Sequence, residues 1–179
     1  TTLFRSGEPL PNEITVEANP ESVSPDKCDT LAGCGVNRLS IGAQTFDPGE
    51  LRFLERIHNV PAIETAVCRA RQAGIRNLSL DLMFGIPGQT RESWAQSLKR
   101  AVELEVDHLS CYGLTYEPGT RLGQALQAGE VSRCDEELEA ALYLQAIDTL
   151  TAAGYEHYEI SNLARPGRAC RHNLAYWRN

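Results

Sequence analysis

Four short runs alternate apolar and polar residues in the manner of strands. They are ITVEANP, LSIGAQTF, LSLDLMFGIP and LSCYGLTYEPG. Ile14, Val16 and Ala18, then Leu39, Ile41 and Ala43, Leu78, Leu80 and Leu82, and finally Leu109, Cys111 and Gly113 share one phase. The opposite phase carries Ser40, Gly42, Ser79 and Ser110, with Glu17, Gln44, Asp81 and Tyr112 near the C-terminal ends of the runs. A parallel sheet covered on both faces reads as nearly continuous Val, Ile and Leu. This pattern predicts instead one face packed under helices and another open to a polar cavity.

Helical periodicity fills the gaps between these runs. Ser24-Pro25 caps a helix that Gly35 closes. Asp47-Pro48 opens a short helix to about Ile57. Pro61 begins another, with Ile63, Ala66, Val67, Ala70 and Ala73 on one face and Gly74 as its stop. GIPGQT (85–90) leads into a helix with Trp94, Leu98 and Ala101/Val102 on its apolar face. This strand–helix rhythm is that of βαβ architecture. After Tyr116 the rhythm changes. Ser132 with Asp135 reads as a capping pair for a long helix marked by Leu138, Leu142, Ala146 and Leu150 and ended by Gly154. A short strand over 156–160 precedes SNLARPG. The whole reads as one α/β domain, with the residues after about 120 as its extension.

Composition narrows the class. The chain has 179 residues, 42% apolar and 23% charged, which is globular and enough for a sizeable core. A formal net charge of −7 argues against nucleic acid as partner. No apolar run is long enough to span a membrane. The six cysteines contain no C-x-x-C pair. Cys68, on an apolar helix face, and Cys111, on an apolar strand face, read as buried free thiols in a reducing cytoplasm. The N-terminus TTLFRSGEPLP lacks a starting Met, and both ends read as cuts through a longer protein.

Ligands of parallel barrels and open sheets collect at the C-terminal strand ends. Glu17, Gln44, Asp81 and Tyr112 fit that rule together, although each alone could serve neighbouring backbone. A carboxylate accepts two hydroxyl hydrogen bonds, as from a ribose diol, and Gln both donates and accepts. Arg56, in the stretch Arg56-Ile57-His58, can fork a carboxylate at the cavity rim or simply favour a helix C-terminus. The four histidines have no metal spacing. HN-x-x-YW (172–177) suits a flat ring ligand, a domain contact or core packing equally.

VEANP (16–20), GVNRLSIGAQTF (35–46), RIH (56–58), AGIRNLSLDLMFGIPGQT (73–90), DHLSCYGLTYEPGT (107–120), GYEHYEISNLARPG (154–167) and CRHNLAYW (170–177) carry a resemblance when taken in order. They resemble the radical S-adenosylmethionine family of oxygen-independent coproporphyrinogen III oxidase-like proteins, and within it the haem chaperone branch. The resemblance implies a partial (β/α)6 barrel of the TIM-like type with its N-terminal strands missing. The radical SAM core would occupy 1–120, and 121–179 would be the C-terminal part of the barrel and the start of an extension. It also implies an S-adenosylmethionine site formed by Glu17, Gln44, Arg56, Asp81, Tyr112 and Thr115. The spacings of 27 from Glu17 to Gln44 and 37 from Gln44 to Asp81 fit the family pattern.

The family's 4Fe-4S cluster is bound by a C-x-x-x-C-x-x-C loop expected upstream of Thr1. This polypeptide alone is therefore expected to bind no cluster and to be inactive. Glu55 departs from the glycine usual in the branch, and either pairs with Arg56 or points outward. The resemblance further implies haem as ligand, with His157, His172, Tyr176 and Trp177 as haem or domain contacts, a haem-acceptor protein as partner, and peripheral membrane contact at most. The alternatives are a coproporphyrinogen III oxidase, converting propionates to vinyls, and a generic (β/α)-barrel enzyme using Asp81 as base.

Overall fold

The computed structural model describes residues 13–178. The elements run β1 (Thr15–Ala18), α1 (Pro25–Gly33), β2 (Arg38–Gln44), α2 (Pro48–Phe53), α3 (Val60–Gln72), β3 (Asn77–Phe84), α4 (Arg91–Glu103), β4 (His108–Gly113), α5 (Arg121–Gln127), α6 (Glu136–Ala152), β5 (Glu156–His157), β6 (Asn162–Ala164) and α7 (Arg171–Arg178). One six-stranded sheet has the order β1-β2-β3-β4-β6-β5. The first four strands are parallel, and β6 and β5 add antiparallel at the β4 side. The sheet is open, as an incomplete barrel should be.

The apolar phase does what its periodicity demands. Leu39, Ile41, Leu78, Leu80, Leu82 and Leu109 are fully buried, under Ile63 and Val67 of α3, Trp94 and Leu98 of α4, and Leu142 and Leu150 of α6. Each such side chain stabilises the fold by roughly 1.5–3 kcal/mol through the area it removes from water. Trp94 also donates from Nε1 to the Leu142 carbonyl at 2.9 Å, which fixes α6 against α4.

The helices begin at side-chain caps. Ser24 accepts from Lys27 N, Asp47 from Gly49 and Glu50 N, Asn59 from Ala62 N, and Thr90 forms a reciprocal box with Ser93. Asp135 is itself the N-cap of α6, accepting from Glu137 and Leu138 N, so the expected pairing with Ser132 gives way to a direct cap. α2 ends at Phe53, short of the expected Ile57. α5 and β6 have too few residues to leave a periodic signature. The strand expected over 156–160 is only Glu156–His157, because the chain turns there to bring Asn162–Ala164 beside β4. Cys68 is exposed on α3, whereas Cys111 is buried. The core face of α3 is Ile63, Ala66, Val67 and Ala70, and Cys68 lies outside that stripe.

Candidate functional site

The polar phase lies on one face of the sheet. In register, Glu17 stands opposite Ser40, Ser40 opposite Ser79, and Ser79 opposite His108. One step further toward the C-terminal ends, Asp81 stands opposite Ser110. Ser40 Oγ donates to Asp81 Oδ1 at 2.9 Å, so Glu17, Ser40 and Asp81 share a face. Glu17 and Tyr112 are exposed, Asp81 is half-buried, and the serines are buried. The face is thus open at its upper end and closed below.

Gln44 reaches this face by a different route from simple alternation. The register slips between Ile41 and Gln44, so that Gln44 faces Leu82, a residue of the apolar phase. Its φ of 67° places it in the left-handed region, where a side chain is strained. That turn folds the amide back over Gly42. A Cβ on Gly42 would meet Gln44 Nε2 at 2.8 Å and Asn19 Oδ1 at 3.5 Å. Asn19, just past β1, accepts from Arg56 Nη1 at 3.4 Å. Asn19, Gly42, Gln44 and Arg56 are therefore one cluster at the ends of β1 and β2.

Glu55 resolves the departure noted in the sequence. It has φ 54°, a conformation that favours glycine, and its carboxylate pairs with Arg121 Nη1 at 2.5 Å. Arg56 keeps its guanidinium for Asn19. His58, two residues on, is buried between Glu21 Oε2 at 3.2 Å and the Ala43 carbonyl at 3.3 Å. It braces the strand end just before Gln44.

Burial pushes the Asp81 carboxyl above the usual carboxylate range. Hydrogen bonds from Ser40 and Ser110 oppose that shift, the Glu17 carboxylate adds to it, and the Arg38 guanidinium opposes it. Tyr112 is also pushed up, first by burial, against hydrogen bonds with Ser110 and Asn162. Thr115 lies apart from this group. It lines a cavity of about 350 Å³ with Gly85, Tyr116, Glu117, Arg133, Cys134 and Glu139.

The lower, closed part of the face is a hydrogen-bonded stack. Ser79 Oγ meets His108 Nδ1 at 2.8 Å, and His108 Nε2 meets the Tyr158 hydroxyl at 2.7 Å. Cys170 N and Asn173 Nδ2 of the α7 region donate to the same hydroxyl. Burial pushes the His108 imidazole down to about 3, with Arg38 adding to the effect. Part of HN-x-x-YW thus packs the fold through Asn173. His157, His172, Tyr176 and Trp177 are exposed. His157 Nε2 contacts the Ile160 carbonyl at 3.1 Å, and Trp177 donates to Glu159 Oε2 at 3.2 Å.

Sequence reasoning missed a second polar network. Glu50 is buried and accepts from Thr45 Oγ1, from Gln89 Nε2 at 3.0 Å and from Ser93 Oγ at 2.7 Å. Gln89 also accepts from Gly85 N at 2.8 Å, which ties the GIPGQT turn to the end of β2. The signal available was the pairing of Asp47-Pro48 with a Glu at the third position, which reads equally as ordinary first-turn acidity.

Residues 8–101 match the family described as the Radical SAM superfamily. This chain belongs to the radical SAM superfamily. It is 42% identical over 168 residues to "Heme chaperone HemW" of Bacillus subtilis (strain 168), covering 94% of this chain and 44% of the relative. It is 42% identical over 166 residues to "Heme chaperone HemW" of Escherichia coli (strain K12), covering 93% and 43%. Among solved structures it resembles coproporphyrinogen III oxidase (HemN) from Escherichia coli, titled a Radical SAM enzyme. There the TM-score is 0.77 and the identity 30%, over 87% of this chain and 36% of that one. The chain spans less than half the length of these curated relatives.

The radical SAM superfamily implies S-adenosylmethionine and a 4Fe-4S cluster, and the residues suit the two differently. Carboxylates, an amide and a guanidinium at the strand ends, with Gly42 leaving Gln44 flush against its strand, are a donor set suited to a nucleoside and an amino acid. The cysteines do not suit a cluster. Among the described residues no group of three or more His, Cys, Asp or Glu could hold a metal ion. No helix among them is long and apolar enough to cross a membrane.

Proposed function

We propose that this radical SAM chain is the S-adenosylmethionine-binding part of a haem chaperone. The observation that carries the reading is identity of 42% to two proteins named "Heme chaperone HemW" over at least 93% of the chain. Identity to the coproporphyrinogen oxidase is 30%. In this reading Glu17 accepts hydrogen bonds from the ribose hydroxyls, Gln44 and Asp81 orient the nucleoside and methionine parts, and Arg56 forks the methionine carboxylate. Tyr112 flanks the adenine side, and Thr115 contributes from the loop beyond β4. When bound together with a cluster, S-adenosylmethionine is the group that supplies the family's radical chemistry. Haem is bound for delivery to an acceptor protein in the cytoplasm, with His157, His172, Tyr176 and Trp177 as contacts. The exposed placement of these four side chains supports that role.

The test uses the full-length protein reconstituted anaerobically. Titrated haem is expected to be taken up stoichiometrically, and coproporphyrinogen III supplied with S-adenosylmethionine is expected to remain unchanged. Formation of protoporphyrinogen would overturn the chaperone reading in favour of the oxidase. Absence of haem uptake would also overturn it.

A further inference from the structure

Arg38 is the least expected residue on the polar face. It is 3% exposed, yet its Nε has no hydrogen-bond partner. No carboxylate of the described residues lies within ion-pair distance of its guanidinium. Its register neighbours on β1 and β3 are Thr15 and Asn77, whose buried Oγ1 and Oδ1 are equally without partners. A buried guanidinium in such a place is costly unless its field is used. Arg38 lies one step below Ser40 on the same strand face, and Ser40 is the residue that holds Asp81. Glu17 brings a second carboxylate to the same face, and its charge raises the Asp81 carboxyl further.

We propose that Arg38 is a positioning residue, the fixed buried counter-charge for the Asp81 carboxylate of the S-adenosylmethionine site. The inference rests on the reading of that site given above. A protonated Asp81 would lose acceptor capacity toward ligand hydroxyls and amines, and would present a weaker field to a cationic ligand. The groups acting on Asp81 are Glu17 on β1, Arg38 and Ser40 on β2, and Ser110 on β4, and its charge in turn reaches Tyr112, with Glu159 beyond it, and the buried Cys111 on the other face. Arg38 is the cation among them. It needs no direct contact, because a charge acts through a low-dielectric interior over longer distances than a hydrogen bond does. Its charge also acts on His108 and on Tyr158.

The experiment is a carbon-13 titration of the Asp81 carboxyl in this chain, in the unaltered protein and in Arg38→Gln and Arg38→Lys. Arg38→Gln is expected to raise the Asp81 midpoint by a shift that the titration resolves. Arg38→Lys, which keeps the charge, should return most of that shift. A role confined to packing would leave the midpoint where it was, and that result in folded Arg38→Gln would overturn the proposal. If Arg38→Gln does not fold, the unaltered chain still decides. There the Arg38 Nε–H resonance should move with pH in step with the Asp81 carboxyl, and a stationary resonance would overturn the proposal. The site reading fails separately. Full-length Asp81→Asn that binds S-adenosylmethionine undiminished would remove Asp81 from the site, while leaving the Arg38 titration result intact.

Discussion

At the scale of the residue, Gly42 shows how a site can depend on an atom that is absent. Nothing about its own backbone requires glycine, but Gln44 folds back into the space a side chain would fill. Gly42→Ala should therefore change stability by about 1 kcal/mol or less, since the far end of a flexible amide can move aside. It should nevertheless displace the Gln44 amide and weaken S-adenosylmethionine binding in the full-length protein. Urea denaturation and calorimetry, run on the same variant, check the two halves of this expectation. Glu17 and Asp81 were legible as one face from alternation alone. Gln44 was legible as a neighbour of the polar face, but not for the reason alternation gave, because a bulge and a left-handed φ re-aim it. Arg38 was invisible in sequence, since its isolation is a property of the space around it.

At the scale of the element, two buried polar networks join segments that the chain keeps apart. Glu50 holds the end of β2, the GIPGQT turn and the start of α4 through Thr45, Gln89 and Ser93. Glu50→Ala should leave those donors unsatisfied and destabilise the chain by roughly 2–4 kcal/mol, measured as a lower urea midpoint. The second network centres on His108. Its folded value is about 3, against an ordinary value of 6.5. The unfolded chain therefore binds the extra proton first, so stability falls as pH drops through 6.5 and keeps falling toward 3. In His108→Gln that part of the acid slope should be missing, which equilibrium denaturation between those limits will show. The longer helices and strands were legible because their caps and periods agree. α5 and β6 were not, because tertiary pairing rather than pattern defines such short segments.

At the scale of the molecule, the core is covered on one side by helices and left polar on the other, and the cysteines divide by burial. Cys34 and Cys68 are exposed, whereas Cys28, Cys111 and Cys170 are buried. A thiol reagent should modify the first two in the native chain and reach the buried three only on unfolding. Cys111 should be the slowest, since burial pushes its thiol up to about 12. Mass spectrometry of timed aliquots reads the order directly. Modification of Cys111 before Cys68 would contradict the placement of β4 in the core.

The strand order also determines when the fold can form. β1 meets β2 through Val16 and Leu39, 23 residues apart, and β2 meets β3 through Leu39 and Leu78, 39 apart. The Leu109–Leu163 pairing of β4 with β6 spans 54 residues. None of these ladders is local, so chain entropy must be lost in long loops before any pairing is rewarded. Refolding is expected to be slow for a chain of this size. On a ribosome the β4 edge would stay bare until Asn162–Ala164 emerges, and a nascent chain stalled before residue 162 would carry an open strand edge that invites association with its neighbours.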